Sequence, residues 1–201
     1  MQHGFAPSGL IARRLAIVLV LVVLDLWSKQ VVFDWLEHLG ETGGLVADPC
    51  ARGHMRVPLV GEWFAFMLTL NPGAAFGQFG DFPHLLVWGR VGACLFLLWL
   101  LVRAPSTRPW NTTALVLVFA GALGNLWDNL VRARGLVLDE WYRDHPYGPV
   151  RDFIDVYFAG IPWHFPTFNV ADSCITVGAV LLIVTGLGTK QADPGQTPTA
   201  S

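Results

Sequence analysis

A few polar side chains in this chain stand at spacings that could support chemistry. Asp25 and Lys29 are related as i and i+4, Asn125 and Asp128 as i and i+3, and Asp152 and Asp155 close a polar segment ahead of Asn169-Val-Ala-Asp172-Ser173. Two carboxylates that share a proton form a hydrolytic device, because one then acts as base toward water while the other acts as acid. Such a pair titrates as a unit. Simpler roles exist for each group. Asp25 and Lys29 share a helical face and can neutralise one another as a structural ion pair. Asp172 falls in a first helical turn, with Asn169 placed to cap it and Pro166 just upstream, so capping alone would account for it. Asn125 and Asp128 can either glue helices together or line a wet cavity. Ser173 has no basic neighbour in sequence and no Gly-x-Ser-x-Gly elbow is present, so the parts for Ser/His catalysis are missing. His164, the nearest imidazole, is expected at the surface. Cys94 and Cys174 lie in apolar stretches and read as buried small hydrophobes, whereas Cys50 is free or paired with another molecule. No Cys or Cys/His spacing suggests zinc, and neither a metal nor another cofactor is expected.

The elements that must position these groups are membrane helices. Of 201 residues, 53% are hydrophobic and 14% charged, with a mean hydropathy of +0.48. A soluble domain is about one quarter charged, so an ordinary water-soluble enzyme is excluded. The apolar residues come in blocks without a heptad or Gly-x-y period, which excludes coiled coils and collagen. A net charge of −2 leaves no basic field for nucleic acid. A bilayer core of about 30 Å needs roughly 20 mostly apolar residues per helix, and segments 15–33, 85–102, 110–131 and 168–187 qualify. The first follows Arg13-Arg14 but lacks a small-x-small cleavage site, so it reads as an uncleaved span. Arg13, Arg14, Arg103, Arg108 and Lys190 flank one side, while the loop 34–84 carries Asp34, Glu37, Glu41, Asp48, Glu62 and Asp81 against Arg52 and Arg56. The positive-inside rule then places both termini in the cytoplasm and the loops 34–84 and 132–167 outside.

The expected fold is therefore an all-α polytopic membrane protein with four transmembrane helices and both termini cytoplasmic, a single domain over 1–190. Residues 63–70 are rich in β-formers and end at Asn71-Pro72-Gly73, the signature of one strand of a small external sheet. Segment 41–55 reads as an irregular insertion, 136–149 as an amphipathic interfacial stretch, and 191–201 as a disordered tail. Gly121 and Gly124 allow close helix approach. Arg90, near the outer end of its span, is expected to snorkel toward the headgroups. The polar groups share one depth. With this orientation Asp25 and Lys29 lie in the outer half of the first span, Asn125 and Asp128 at the outer end of the third, Asp152 just outside, and Asp172 at the outer start of the fourth.

The same residues carry a resemblance. Asp25-x-x-Ser-Lys29, Asn71-Pro-Gly-Ala-Ala-Phe-Gly77, Gly121-Ala-Leu-Gly-Asn-Leu-Trp-Asp128, Asp152-Phe-Ile-Asp-Val-Tyr157 and Phe165-Pro-Thr-Phe-Asn-Val-Ala-Asp-Ser173 occur in that order. Together they resemble the lipoprotein signal peptidases, or signal peptidase II, over about residues 15–188. That resemblance implies an intramembrane aspartyl protease of the bacterial inner membrane, working at the outer face without a metal. It would remove signal peptides from prolipoproteins just before a diacylglyceryl-modified cysteine. It assigns the catalytic pair to Asp152 and Asp172, which sets Asp155 aside. Asn71, Gly73, Asn125 and Asn169 would position substrate and dyad, and Asp25, Lys29 and Asp128 would support the site. The external strand would belong to a small β-sheet cradle for the substrate. The implied partners are diacylglyceryl-prolipoproteins and membrane lipid, without nucleic acid, and a monomer is expected. One departure stands out: the family usually has Arg where this chain has Asn129, and Arg132 or Arg134 is the expected substitute. Two rival readings remain: an ion- or proton-coupled transporter using intramembrane carboxylates, and a noncatalytic membrane scaffold.

Overall fold

The structure, a computed structural model, describes residues 5–42, 55–73, 82–131 and 145–187. Among them are four helices, α1 (Ser8–Glu41), α2 (Pro83–Arg103), α3 (Pro109–Leu130) and α4 (Val170–Leu187). They bundle beneath a four-stranded sheet of β1 (Arg56–Val60), β2 (Phe64–Asn71), β3 (Val150–Phe158) and β4 (Trp163–His164). Pro83 and Pro109 open their helices at the first turn, where a missing N–H costs nothing.

The bundle buries charged groups beside an apolar core and exposes large apolar side chains. Leu19, Trp27, Trp88, Leu95, Phe96 and Ile183 are each more than half exposed, while Asp25, Lys29, Asn125 and Asp128 are buried. In water that arrangement would be costly. Against lipid it is the stable one, because apolar side chains then meet apolar chains and each interior charge meets a partner. By length and composition α2 and α3 can cross a membrane, and α4 contributes a shorter apolar stretch, Val170–Gly186.

Helix α1 continues past Phe33, where the first span was expected to end, to Glu41. A 34-residue helix is about 51 Å long, well beyond a bilayer core. The extension persists because Val32, Phe33 and Leu36 keep an apolar stripe at helical spacing, and that stripe packs under Leu68 of β2 and Phe153 of β3. At the opposite end of the bundle, Arg14 Nη1 donates to the Leu101 carbonyl at 2.8 Å and the Ala6 N–H to the Val102 carbonyl at 3.0 Å. The guanidinium of Arg103 lies 4.8 Å from the Trp99 ring. Arg14 and Arg103 thus lie at the end away from the sheet.

The sheet is antiparallel in the order β1-β2-β3-β4. Strand β2 falls within one residue of the strand read from sequence. Strands β3 and β4 lie in the segment expected to be a loop. Their alternation is hidden because β3 buries charge on both faces: Arg151, Asp152 and Asp155 are all inaccessible, so apolar and polar types do not report inside and outside. Most of the insertion at 41–55, most of the interfacial stretch at 136–149 and the tail at 191–201 lie outside the described residues.

Small residues let α3 and α4 touch. A methyl group at Gly124 would stand 2.5 Å from Asp25 Oδ2 and 3.2 Å from the Ala171 side chain, and one at Gly178 would stand 2.8 Å from the Ala114 carbonyl. Gly124→Ala is therefore expected to lower thermal stability in detergent by about 1–3 kcal/mol, with overpacking as the cause. An unchanged melting curve would show that Asp25 can move aside.

Candidate active site

Asp25, Lys29, Asn125 and Asp128 form one buried cluster under the sheet. Lys29 Nζ lies 2.7 Å from Asp25 Oδ2 and 3.0 Å from Asp128 Oδ2, and donates to Asn125 Oδ1 at 3.1 Å. The expected Asp25–Lys29 ion pair is present, but as part of a larger hub: one ammonium serves two carboxylates and an amide. Asp25 Oδ1 also accepts the Ala171 N–H at 2.8 Å, which ties α1 to the first turn of α4. Asp128 holds Arg151, taking its Nη2 at 2.8 Å, its Nε at 3.1 Å and its backbone N–H at 3.2 Å. Arg151 was missed from sequence. A buried arginine in a segment read as a loop leaves no signal until its carboxylate partner is known to face it.

From this hub the contacts run outward to the two aspartates. Asn125 Nδ2 donates to Asp172 Oδ1 at 2.7 Å. Asn169 does cap α4: its Oδ1 accepts the Asp172 N–H at 2.8 Å while Asp172 Oδ2 faces the Asn169 N–H at 3.3 Å, a reciprocal capping box. Capping and cavity lining are thus combined in Asp172. The Asn169 amide nitrogen also lies 2.7 Å from Asp152 Oδ1, so this one residue links both carboxyl groups. Asn71 Nδ2 donates to the other Asp152 oxygen at 3.1 Å. The strand register delivers it, since Thr69 pairs with Asp152 and Asn71 with Val150, making Asn71 a diagonal neighbour of Asp152. The Gly73 N–H closes an Asx turn onto Asn71 Oδ1 at 3.0 Å, fixing that side chain.

Asp152 and Asp172 line a cavity of about 410 Å³ with Asn71, Arg90, Asn125 and Thr176, walled by Phe165, Phe168 and Ile175. Burial and the neighbouring Asp172 push the Asp152 carboxyl up to about 8, against the opposing pull of Asn71, Lys29 and Asn169. A carboxyl near 8 keeps its proton at neutral pH and can donate it.

Asp155, three residues along β3, faces elsewhere. It accepts from Arg56 Nε at 2.7 Å and lies 2.8 Å from His164 Nδ1, and it takes no part in the cavity. His164 is not the surface residue expected: it packs 4.6 Å from the Tyr157 ring against this buried pair. The Ser173 hydroxyl donates to the Asn169 carbonyl at 3.0 Å, an ordinary helical contact. Cys94 is buried as expected for a small hydrophobe, Cys174 is half-buried rather than buried, and Cys50 lies outside the described residues.

Arg90 departs from expectation. A snorkelling side chain would reach for the headgroups. Instead its guanidinium turns into the cavity, where Nη2 donates to the Gly73 carbonyl at 2.9 Å and Nη1 to Asn129 Oδ1. Arg132 and Arg134, the substitutes expected beside Asn129, lie outside the described residues. Among the described residues no group of three or more His, Cys, Asp or Glu is placed to hold a metal ion.

Helices with apolar outer faces, closed at one end by a sheet over a carboxylate-lined cavity, define a membrane enzyme. A family model described as signal peptidase (SPase) II matches residues 17–187, and the chain belongs to that family of peptidases. It is 34% identical over 190 residues to the lipoprotein signal peptidase of Salmonella newport, covering 92% of this chain and 93% of the relative. To the lipoprotein signal peptidase of Streptomyces coelicolor it is 33% identical over 187 residues, covering 93% and 75% respectively. A solved structure of a bacterial membrane enzyme superposes with a TM-score of 0.64 at 22% identity, covering 99% of this chain and all of that one, which supports the fold.

Proposed function

We infer that this chain is an intramembrane aspartic endopeptidase that releases signal peptides from diacylglyceryl-modified prolipoproteins, cutting just before the lipidated cysteine. The observation that carries the reading is the pair Asp152 and Asp172, lining one cavity and linked through Asn169. In this reading all four helices span the bacterial inner membrane with both termini cytoplasmic, and the sheet lies at the outer face. The substrate's lipid then stays in the outer leaflet while its peptide enters the cavity sideways.

Asp152, protonated at neutral pH, serves as the acid, and Asp172 as the base. Water attacks the scissile carbonyl carbon, giving one proton to the Asp172 carboxylate while Asp152 protonates the carbonyl oxygen. The resulting gem-diol collapses as Asp172 returns its proton to the leaving nitrogen and Asp152 recovers one from a diol hydroxyl, breaking the C–N bond.

The test is cleavage by the purified protein of a prolipoprotein with and without the diacylglyceryl group, with the new N-terminus read by mass spectrometry. The lipidated cysteine is expected at the new N-terminus, and the unmodified precursor is expected to survive. Cleavage at another bond, or equal cleavage of both forms, overturns the reading. In the same assay activity should fall on the alkaline side near pH 8, because Asp152, raised to about 8, there loses the proton it must donate. A rate still rising through pH 9 would place the acid elsewhere.

A further inference from the structure

Resting on that reading, we propose that Arg90 is a positioning residue of the site: it clamps the Asn71–Gly73 turn to the end of α3 and holds a positive charge over the aspartate pair. Its two hydrogen bonds join elements that are otherwise separate, the Gly73 carbonyl after β2 and the Asn129 side chain at the last turn of α3. Through Gly73 the clamp acts on Asn71, and through Asn71 on Asp152.

The partners of Arg90 are unusual for a half-buried guanidinium, since both are neutral. Among the described residues every other buried cation of the site is matched by a carboxylate: Lys29 by Asp25 and Asp128, Arg151 by Asp128. Arg90 forms no such ion pair among the described residues. A cation held away from bulk water without a carboxylate contact is costly unless its field is used. The field falls on the acids around the cavity, Asp172 of α4, Asp152 of β3 and Asp128 of α3, with Cys94 on its own helix. Lys29 of α1 is the other cation that acts on Asp152. Among the described residues two of the five guanidinium N–H groups are engaged, and Arg90 lines the cavity.

Asn129 also donates to the Gly148 carbonyl at 2.8 Å, so its side chain already spans from α3 to the segment before β3. An arginine there, in a chain lacking Arg90, would bring a guanidinium to the same point from the opposite helix. The test compares Arg90→Gln, Arg90→Lys and the double variant Arg90→Ala/Asn129→Arg with wild type and Asp172→Asn, each folded as judged by thermal melting. Arg90→Gln should lower kcat by at least about tenfold, a general acid–base share of the rate, with a smaller change in KM. It should also move the alkaline limb of the pH profile, set by Asp152, up by at least about half a unit, because removing a nearby cation raises a carboxyl pKa. Arg90→Lys should shift the profile less, and the double variant should regain activity and a near wild-type profile. Folded Arg90→Gln with unchanged kcat and pH profile overturns the proposal, as does a change confined to KM. If Asp172→Asn retains cleavage, the peptidase mechanism itself fails, a result distinct from either.

Discussion

Asp152→Asn and Asp172→Asn should each reduce prolipoprotein cleavage by about 10³-fold or more, the loss expected when one half of an acid–base pair is removed. Neither substitution removes volume, but each gives up one of the two hydrogen bonds that the carboxyl group accepts, so stability should fall by only about 1 kcal/mol. At position 152 the single amide oxygen can accept from either Asn71 or Asn169 but not both; at position 172 it can keep the capping contact with the Asn169 N–H and gives up the one from Asn125. Asp155→Asn is the informative contrast. Asp155 is fully buried against Arg56 and His164, so its neutralisation removes a buried charge from that cluster, while Arg56 keeps its contact with Glu62. That variant should lose about 1–3 kcal/mol of stability while the fraction that remains folded keeps a near-normal kcat. Measuring turnover per folded molecule separates the two classes. Normal turnover in either Asp152→Asn or Asp172→Asn would remove that residue from the chemistry.

Lys29→Met should be the most destabilising single change in the bundle, by about 3–5 kcal/mol. Lys29 is fully buried and its ammonium lies within 3.0 Å of two carboxylates. Methionine preserves most of the packing but strands both acids. Asp128 retains Arg151, whereas among the described residues Asp25 keeps the Ala171 N–H alone. The double variant Lys29→Met/Asp25→Asn should therefore recover a measurable part of the lost stability, since it removes the worse-placed charge. The readout is thermal unfolding in detergent or lipid. A Lys29→Met melting point equal to wild type would mean that helix packing, not this hub, holds the bundle. Activity should fall too, because Lys29 orients Asn125 and Asn125 holds Asp172.

The parts of the molecule that were legible from sequence are those with a local signal. Apolar blocks of span length mark the helices, and β-formers ending at Asn71-Pro72-Gly73 mark β2. Asn169 and Asp172, at N-cap and third-position spacing, mark the start of α4. Strand β3 had no such mark, because its charges are buried rather than alternating. Arg90 was misread for a related reason: a lone arginine near a span end has a common solution in snorkelling, and only a facing carbonyl and amide from other elements draw it inward.

The sequence by itself determined which side chains were available, two carboxyl groups and three asparagines among few charges, and the helices that carry Asn125 and Asp172, since helix formation and capping depend on near neighbours. What only the tertiary structure decided is which of those groups meet. Asp25 reaches a backbone amide 146 residues away, and Asn71 reaches Asp152 across 81. The family resemblance had already preferred Asp152 over Asp155; what the fold adds is the physical separation of the two by strand alternation once β3 is paired, with one side chain turned into the cavity and the other onto Arg56. Local spacing cannot specify such contacts, because they depend on how whole elements pack against one another.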